Sequence, residues 1–118
     1  MSRKYNCVVK RVIDGDTMDV EIDLGFGIFT VQRVRLLGVD SPETFRPSCE
    51  AERVHGIRAK EFVENEVMNG KKCVLTTDRD RKCKYGRYLG VLCIEGSVKS
   101  INDMLHENCL CKLEKYET

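Results

Sequence analysis

Apolar and polar residues alternate strictly over residues 17–24, where every even-numbered position from Met18 to Leu24 is apolar. A period of two predicts a strand with one buried face. A β-branched run over residues 6–13 predicts a strand before it, with Asp14-Gly15-Asp16 as the hairpin turn between them. A second turn at residues 24–27 leads into a third predicted strand over 28–39, which completes a three-stranded meander.

The period then changes from two to the spacing of a helix. Ala59, Phe62, Val63 and Val67 recur on one helical face, and Asn69-Gly70 supplies a helix stop. This segment is the first predicted helix.

Two further strands are predicted at residues 73–77 and 88–94, followed by a second amphipathic helix marked by Val98, Ile101, Met104 and Leu105. Five strands with a helix after the third predict an α+β fold, a small oligonucleotide/oligosaccharide-binding (OB) barrel with two helices. Curling into a barrel removes the open edges of the sheet.

The length of 118 residues is enough for one domain, 1–118, with its own core, and no repeat or linker divides the chain. The formal net charge of +1 excludes a strongly basic coater of DNA. The charge is uneven, because residues 71–87 hold seven basic and two acidic side chains, which gives +5, and the rest of the chain is near −4. A solvated loop is the alternative interpretation of this stretch.

The seven cysteines show no regular metal-binding spacing, and we expect them to be reduced and mostly buried. The sequence has no apolar run of membrane-spanning length and no apolar signal region near its first residues. These features lead us to expect a cytoplasmic protein without membrane contact, with export of a trimmed precursor as the alternative. We also expect a monomer. His55 and His106 lie in predicted helical segments without a catalytic partner pattern, so we interpret them as surface or packing residues.

Three motifs bring together the groups that phosphodiester hydrolysis requires: Ile13-Asp14-Gly15-Asp16-Thr17, Arg35 to Glu43, and Lys84-Tyr85-Gly86-Arg87. Carboxylates bind a hard cation, arginines bind phosphate, and a glutamate can activate water. The combination is more informative than any single motif.

Asp16 and Asp40 are the candidate metal ligands, because the first hairpin and the end of the third predicted strand can meet when the sheet curves. With only two protein carboxylates we expect weak binding, on the order of 10⁻⁴ M, tightened by substrate. Turn formation is the alternative role for Asp14 and Asp16.

Arg35 and Arg87 are the candidate phosphate-binding residues, since each guanidinium can hold two phosphate oxygens. Arg35 interrupts an apolar strand, where burial is costly without an anion. An internal ion pair is the alternative for both arginines.

Glu43 follows Pro42 and lies three residues beyond Asp40, near enough to orient or deprotonate a water, although a solvated loop glutamate is the alternative. Lys84 and Tyr85 are candidate substrate-binding residues that would hold a neighbouring phosphate and stack on a sugar or base. Such contacts predict low base specificity.

These motifs, in this order and spacing, resemble the staphylococcal nuclease (thermonuclease) family over nearly the whole chain. The resemblance implies the five-stranded barrel, Ca²⁺-dependent endonuclease cleavage of DNA and RNA, and products with a 3′-phosphate. It also implies that the backbone carbonyl of Ser41 joins Asp16 and Asp40 on the metal. Many relatives continue into a further C-terminal helix, and near the end of this chain only Tyr116 matches their aromatic pair.

We therefore expect a metal-dependent nuclease, with Ca²⁺ as cofactor, or Mg²⁺ or another divalent cation, that prefers single strands of DNA and RNA. The alternative is a catalytically inactive barrel that binds nucleic acid or protein. A non-catalytic interaction domain that uses the +5 stretch is a third interpretation. Inactive relatives typically lose the motif residues. This sequence keeps all five side chains, which favours the first interpretation: Asp16, Arg35, Asp40, Glu43 and Arg87.

Overall fold

The computed structural model describes residues 2–82 and 88–116, with residues 2 and 78–82 described by their backbone alone. It has five strands and two helices in this part of the chain: β1 Ser2–Asp14, β2 Thr17–Asp23, β3 Phe29–Leu36, α1 Glu50–Val67, β4 Cys73–Lys82, β5 Tyr88–Ile94 and α2 Ile101–Glu107. Neither described helix is both long and apolar enough to cross a lipid bilayer.

The five strands close into a barrel in the order β1-β2-β3-β5-β4, and β4 returns to pair with β1. All neighbours are antiparallel except β3 and β5, which pair in parallel over Val34–Leu36 and Tyr88–Gly90. The α+β prediction of a five-stranded OB-like barrel with two helices is confirmed. The parallel β3–β5 seam contains Arg35, a candidate phosphate-binding residue, which pairs with Leu89.

The barrel core consists of the inward-facing apolar residues that the alternating pattern predicts. Met18, Val20 and Val34 are completely buried, and Leu36 is nearly so. Helix α1 packs against β1 and helix α2 against β5. The buried positions of α1 share one face, and they are Glu52, Gly56, Ala59, Val63 and Val67.

The third strand is shorter than predicted. It ends at Leu36 because the chain turns at Gly38, whose φ of +75° is a conformation that favours glycine. Asp40 therefore lies in a loop four residues beyond the strand rather than at its end.

The predicted helices are present with one correction. Helix α1 ends before Asn69 and Gly70, both at positive φ, as predicted. Helix α2 begins only at Ile101, where the Ser100 hydroxyl accepts a hydrogen bond from the Asp103 N–H at 3.0 Å. Val98 is fully exposed and precedes the helix, so its assignment to the amphipathic face was wrong.

The expectation that the cysteines are mostly buried was also wrong. All six described cysteines are free thiols, but only Cys7 and Cys73 are buried, while Cys109 is exposed. The two buried residues face each other across β1 and β4. Burial raises the pKa of the Cys7 thiol to about 12, so this sulfur stays protonated and unreactive at neutral pH.

Candidate functional site

Asp16 is held at the β1–β2 hairpin by contacts that fix both carboxylate oxygens. The Thr17 hydroxyl donates to Oδ1 at 2.9 Å and the Ser41 N–H donates to Oδ2 at 3.1 Å. Gly15 lets the hairpin approach the helix, since a Cβ there would lie 2.8 Å from the Cβ of Ala59. Asp16 is thus a buried carboxylate in a defined position. Its contact with Ser41 lies outside the hairpin turn, so the side chain does more than form the turn.

Asp40 has an exposed side chain on a well-anchored backbone. Its side chain is 68% exposed, but its carbonyl accepts a hydrogen bond from the Lys112 N–H at 2.7 Å. Helix α2 supports the same loop, because Asn102 Nδ2 donates to the Leu37 carbonyl at 2.8 Å and His106 Nε2 lies 2.9 Å from the Gly38 carbonyl. The carboxylate can therefore meet a solvent-borne ion without movement of its backbone.

Arg35 lies between the two aspartates. Its Nη2 is 3.5 Å from Asp40 Oδ1, 3.7 Å from Asp16 Oδ2 and 3.3 Å from the Val39 carbonyl. The side chain is 29% exposed, so it is less buried than its apolar strand suggested. The internal ion pair considered as an alternative is present, and one nitrogen within reach of both carboxylates shows that the two aspartates converge.

Beside these residues the surface forms an open depression of about 520 Å³. Its lining includes Arg35, Leu36, Gly38, Val39, Asp40 and Leu89. Its lining thus combines apolar residues with the charged side chains of Arg35 and Asp40. A ligand with an anionic group and a flat apolar part would fit such a surface.

Ser41 and Pro42 are buried, and Glu43 directly after them is exposed. The loop packs closely on α1, because a Cβ at Gly56 would lie 2.6 Å from the Pro42 carbonyl oxygen. Thr44, which follows Glu43, donates a hydrogen bond from its hydroxyl to Asp14 Oδ1 at 2.8 Å. Asp14 therefore supports the loop, and Glu43 stands on the solvent side of the same segment that carries Asp40.

Lys84, Tyr85 and Arg87 lie outside the described residues. The described part of β5 begins at Tyr88, whose backbone pairs with Val34, the neighbour of Arg35. The roles given to Lys84, Tyr85 and Arg87 stay predictions.

The histidines and Tyr116 are involved in packing. His55 Nδ1 lies 2.7 Å from the Tyr116 hydroxyl, and its Nε2 lies 2.8 Å from the Cys109 carbonyl. The Tyr116 ring meets the His55 ring edge to face, with centroids 5.7 Å apart. The packing interpretation of His55 fits these contacts, and Tyr116 serves to fasten the last described segment to α1.

Sequence reasoning missed Glu52 and Lys112. Glu52 is a carboxylate only 1% exposed, and it accepts hydrogen bonds from the backbone of the loop that carries Glu43. A signal was available, because Glu52 has helical spacing with the apolar face formed by Ala59, Val63 and Val67. Lys112, whose Nζ lies 3.5 Å from Glu52 Oε2, had no such signal.

The described residues contain no group of three or more His, Cys, Asp or Glu side chains placed to share a metal ion. Asp16 and Asp40 converge as a pair, and the Ser41 backbone adjoins the Asp16 carboxylate. Two carboxylates and a carbonyl are hard oxygen donors, which suit Ca²⁺ or Mg²⁺ with most of the coordination left to other oxygens. The residues present therefore fit a weakly held divalent cation.

The closed five-stranded barrel defines an OB-fold protein, and two aspartates and an arginine lie close together beside its parallel β3–β5 pairing. A family model described as "Staphylococcal nuclease homologue" matches residues 33–118. The chain belongs to the staphylococcal nuclease homologue family, which confirms the resemblance found in its motifs.

Three relatives illustrate the similarity. Thermonuclease of Staphylococcus intermedius is 42% identical over 87 residues, which cover 74% of this chain and 48% of the relative. Thermonuclease of Staphylococcus hyicus is 32% identical over 92% of this chain and 59% of the relative. Endonuclease YncB of Bacillus subtilis is 35% identical over 92% of this chain and 47% of the relative. The chain spans about half the length of the curated relatives it matches.

Proposed function

We propose that this protein is a divalent-metal-dependent endonuclease that hydrolyses DNA and RNA with low sequence specificity and leaves 3′-phosphates. The observation that carries the proposal is the convergence of Asp16 and Asp40 on Arg35 beside an open depression. Family membership and the names of the relatives support nuclease chemistry. We further propose a monomeric cytoplasmic enzyme that prefers single strands.

In this proposal Asp16, Asp40 and the Ser41 carbonyl hold Ca²⁺, with Mg²⁺ or another divalent cation as a substitute. The bound cation would supply positive charge against the negative charge that grows on the phosphate oxygens. Asp16 is already fixed by two hydrogen bonds, so it would need no reorganisation. The exposed Asp40 carboxylate would complete the protein part of the site.

In this proposal Arg35 contacts the two aspartates when the cation is absent and binds phosphate when the cation is bound. In the structure described above its guanidinium lies near both carboxylates. When a cation neutralises the two aspartates, Arg35 would be free to bind a non-bridging phosphate oxygen. Arg87 would bind the same phosphate, and Lys84 and Tyr85 would hold the adjacent phosphate and base.

Glu43 is the proposed general base. It would take a proton from the attacking water as the water oxygen bonds to phosphorus and the bond from phosphorus to the 5′-oxygen breaks. The 5′-oxygen would take a proton from solvent as it leaves, and Glu43 would return its own proton to solvent. The phosphate then remains on the 3′-oxygen. General-base help of this kind contributes roughly 10²- to 10⁴-fold to the rate.

The test is cleavage of single-stranded DNA, duplex DNA and RNA with Ca²⁺, Mg²⁺ or EDTA. We expect metal-dependent cutting by the wild-type protein and a loss of roughly 10²- to 10⁴-fold in kcat for Glu43→Ala. Arg35→Lys should also be poor, because an ammonium cannot form the paired contact. Glu61→Ala on an exposed position of α1 is the matched control and should cut normally.

Two results would contradict the proposal. Full activity of Glu43→Ala would remove this residue from the mechanism. Binding of nucleic acid without cutting under every metal would favour the catalytically inactive barrel.

A further inference from the structure

Glu52 is a buried charge at the start of α1. Its side chain is 1% exposed, and hydrogen bonds from the backbone of Ser48, above all, hold its pKa at about 2, well below the usual range. An ionised carboxylate inside a protein is costly unless several donors meet it. The donors around Glu52 include the Ser48 N–H at 2.6 Å from Oε1, the Glu43 N–H at 3.3 Å from Oε2, and Lys112 Nζ at 3.5 Å from Oε2.

The two backbone donors lie at opposite ends of one loop. Glu43 begins the segment 43–48 and Ser48 ends it, just before α1 starts at Glu50. One carboxylate therefore fastens both ends of the loop to the helix. Because the Glu43 side chain is exposed, its position depends on the backbone that carries it.

Lys112 connects the anchor of segment 43–48 to the backbone of Asp40, which lies three residues before that segment. Its backbone N–H donates to the Asp40 carbonyl at 2.7 Å, and its Nζ lies 3.5 Å from the Glu52 carboxylate. The negative charge of Glu52 raises the pKa of the Lys112 ammonium, so the pair is charged on both sides at neutral pH. Lys112 thus contacts both the backbone of Asp40 and the Glu52 carboxylate, which in turn holds the backbone of Glu43.

We propose that Glu52 and Lys112 are positioning residues, which fix the water-activating Glu43 relative to the cation-binding Asp40. The proposal rests on the function proposed above. In this role neither residue would touch the substrate, the cation or the reacting atoms. Their effect is geometric, and a displacement of about 1 Å of a catalytic group can cost roughly 10²-fold in rate.

The main test is Glu52→Gln, which keeps the size of the side chain. Its amide oxygen can accept from one loop N–H, but its NH₂ group cannot accept from the other, and the ion pair with Lys112 is lost. We expect kcat to fall roughly 10- to 100-fold while KM for a single-stranded oligonucleotide stays unchanged, because the phosphate-binding arginines are untouched. A merely structural role would lower the melting temperature and leave kcat per folded molecule at the wild-type value.

The second variant is Lys112→Met, which removes the ammonium and keeps the backbone N–H on Asp40. Its loss of kcat should be smaller, and the double variant Glu52→Gln/Lys112→Met should lose less than the product of the two single losses, because the residues act as a pair. Glu61→Gln and Lys115→Met are matched controls at exposed positions and should leave kcat unchanged.

A measurement independent of activity separates this inference from the proposed function. Amide hydrogen exchange should find the Glu43 and Ser48 N–H protons protected in the wild type and faster to exchange in Glu52→Gln. Unprotected amides in an active wild type, or wild-type kcat in folded Glu52→Gln, would overturn the positioning role alone. A wild type that cuts nothing with any metal would reject the proposed function, and the positioning role with it.

Discussion

Phe26 occupies the tip of the β2–β3 hairpin with a φ of 57° and a fully exposed side chain. A left-handed backbone costs an ordinary residue roughly 1 kcal/mol, whereas asparagine tolerates it. We expect Phe26→Asn to raise the free energy of unfolding by about 0.5–1 kcal/mol in urea denaturation. Phe45→Asn is the control, since Phe45 is also exposed but its φ is not positive. An equal rise in both variants would contradict the backbone explanation.

The candidate site residues could be chosen from the sequence because they lie in short motifs whose side chains have recognisable chemical roles. Asp16 and Asp40 both lie within reach of one Arg35 nitrogen, and curvature of the sheet suggested that these two aspartates would meet. Glu52 has helical spacing with the buried face of α1, but it lies in no motif, and a glutamate in a helix is normally solvated, so the spacing alone did not select it. The contact of Lys112 depends on where a distant tail crosses the surface, which local pattern does not encode.

Among the secondary-structure elements, α2 connects β5 to the residue that directly follows β3, through Asn102. This buried side chain donates to the carbonyls of Leu37 at 2.8 Å and Gly90 at 3.2 Å, and it accepts from the Leu92 N–H at 3.1 Å. Asn102→Ala should lower the free energy of unfolding by about 2–4 kcal/mol, because buried polar groups lose their partners.

Guanidinium denaturation would measure this effect, with Asp103→Asn at the exposed neighbouring position as the control. The control should stay within about 0.5 kcal/mol of the wild type. A cost for Asn102→Ala no larger than that of the control would mean that water replaces the three hydrogen bonds and that α2 does not hold the seam.

Elements were predictable where the signal is local. The alternation of β2 and the glycine stop after α1 both correspond to real boundaries. The predicted start of α2 was wrong because Val98 has helical spacing with Ile101, although the cap at Ser100 sets the actual start. The predicted end of β3 was wrong because the chain turns at Gly38. This glycine lies inside an apolar run, so the hydropathy pattern does not indicate that the strand ends there.

For the whole molecule, the buried carboxylate of Glu52 predicts how stability depends on pH. Its pKa is about 2 in the folded protein, against a usual value of 4.5, so the unfolded chain takes up the proton first as the pH falls. The stabilisation is complete above about pH 5 and is lost as the pH drops towards 2. The free energy of unfolding of the wild type should therefore fall more steeply over this range than that of Glu52→Gln.

The measurement is urea denaturation at several pH values. Glu61→Gln should follow the wild-type curve, and the Asp19–Arg33 pair, which lowers the pKa of Asp19, contributes equally to all three proteins. Parallel curves for the wild type and Glu52→Gln would contradict an ionised Glu52 in the folded protein.

The β2–β3 hairpin also has a practical consequence. Strand β2 is seven residues long, so at roughly 3.3 Å per residue the tip at Phe26 stands roughly 20 Å from the turn that carries Asp16. A dye, a bead or a fused domain attached at this tip would lie at the far end of the strand from the depression. Attachment at the hairpin tip would therefore immobilise the molecule with the depression beside Arg35 and Asp40 left open to the solution.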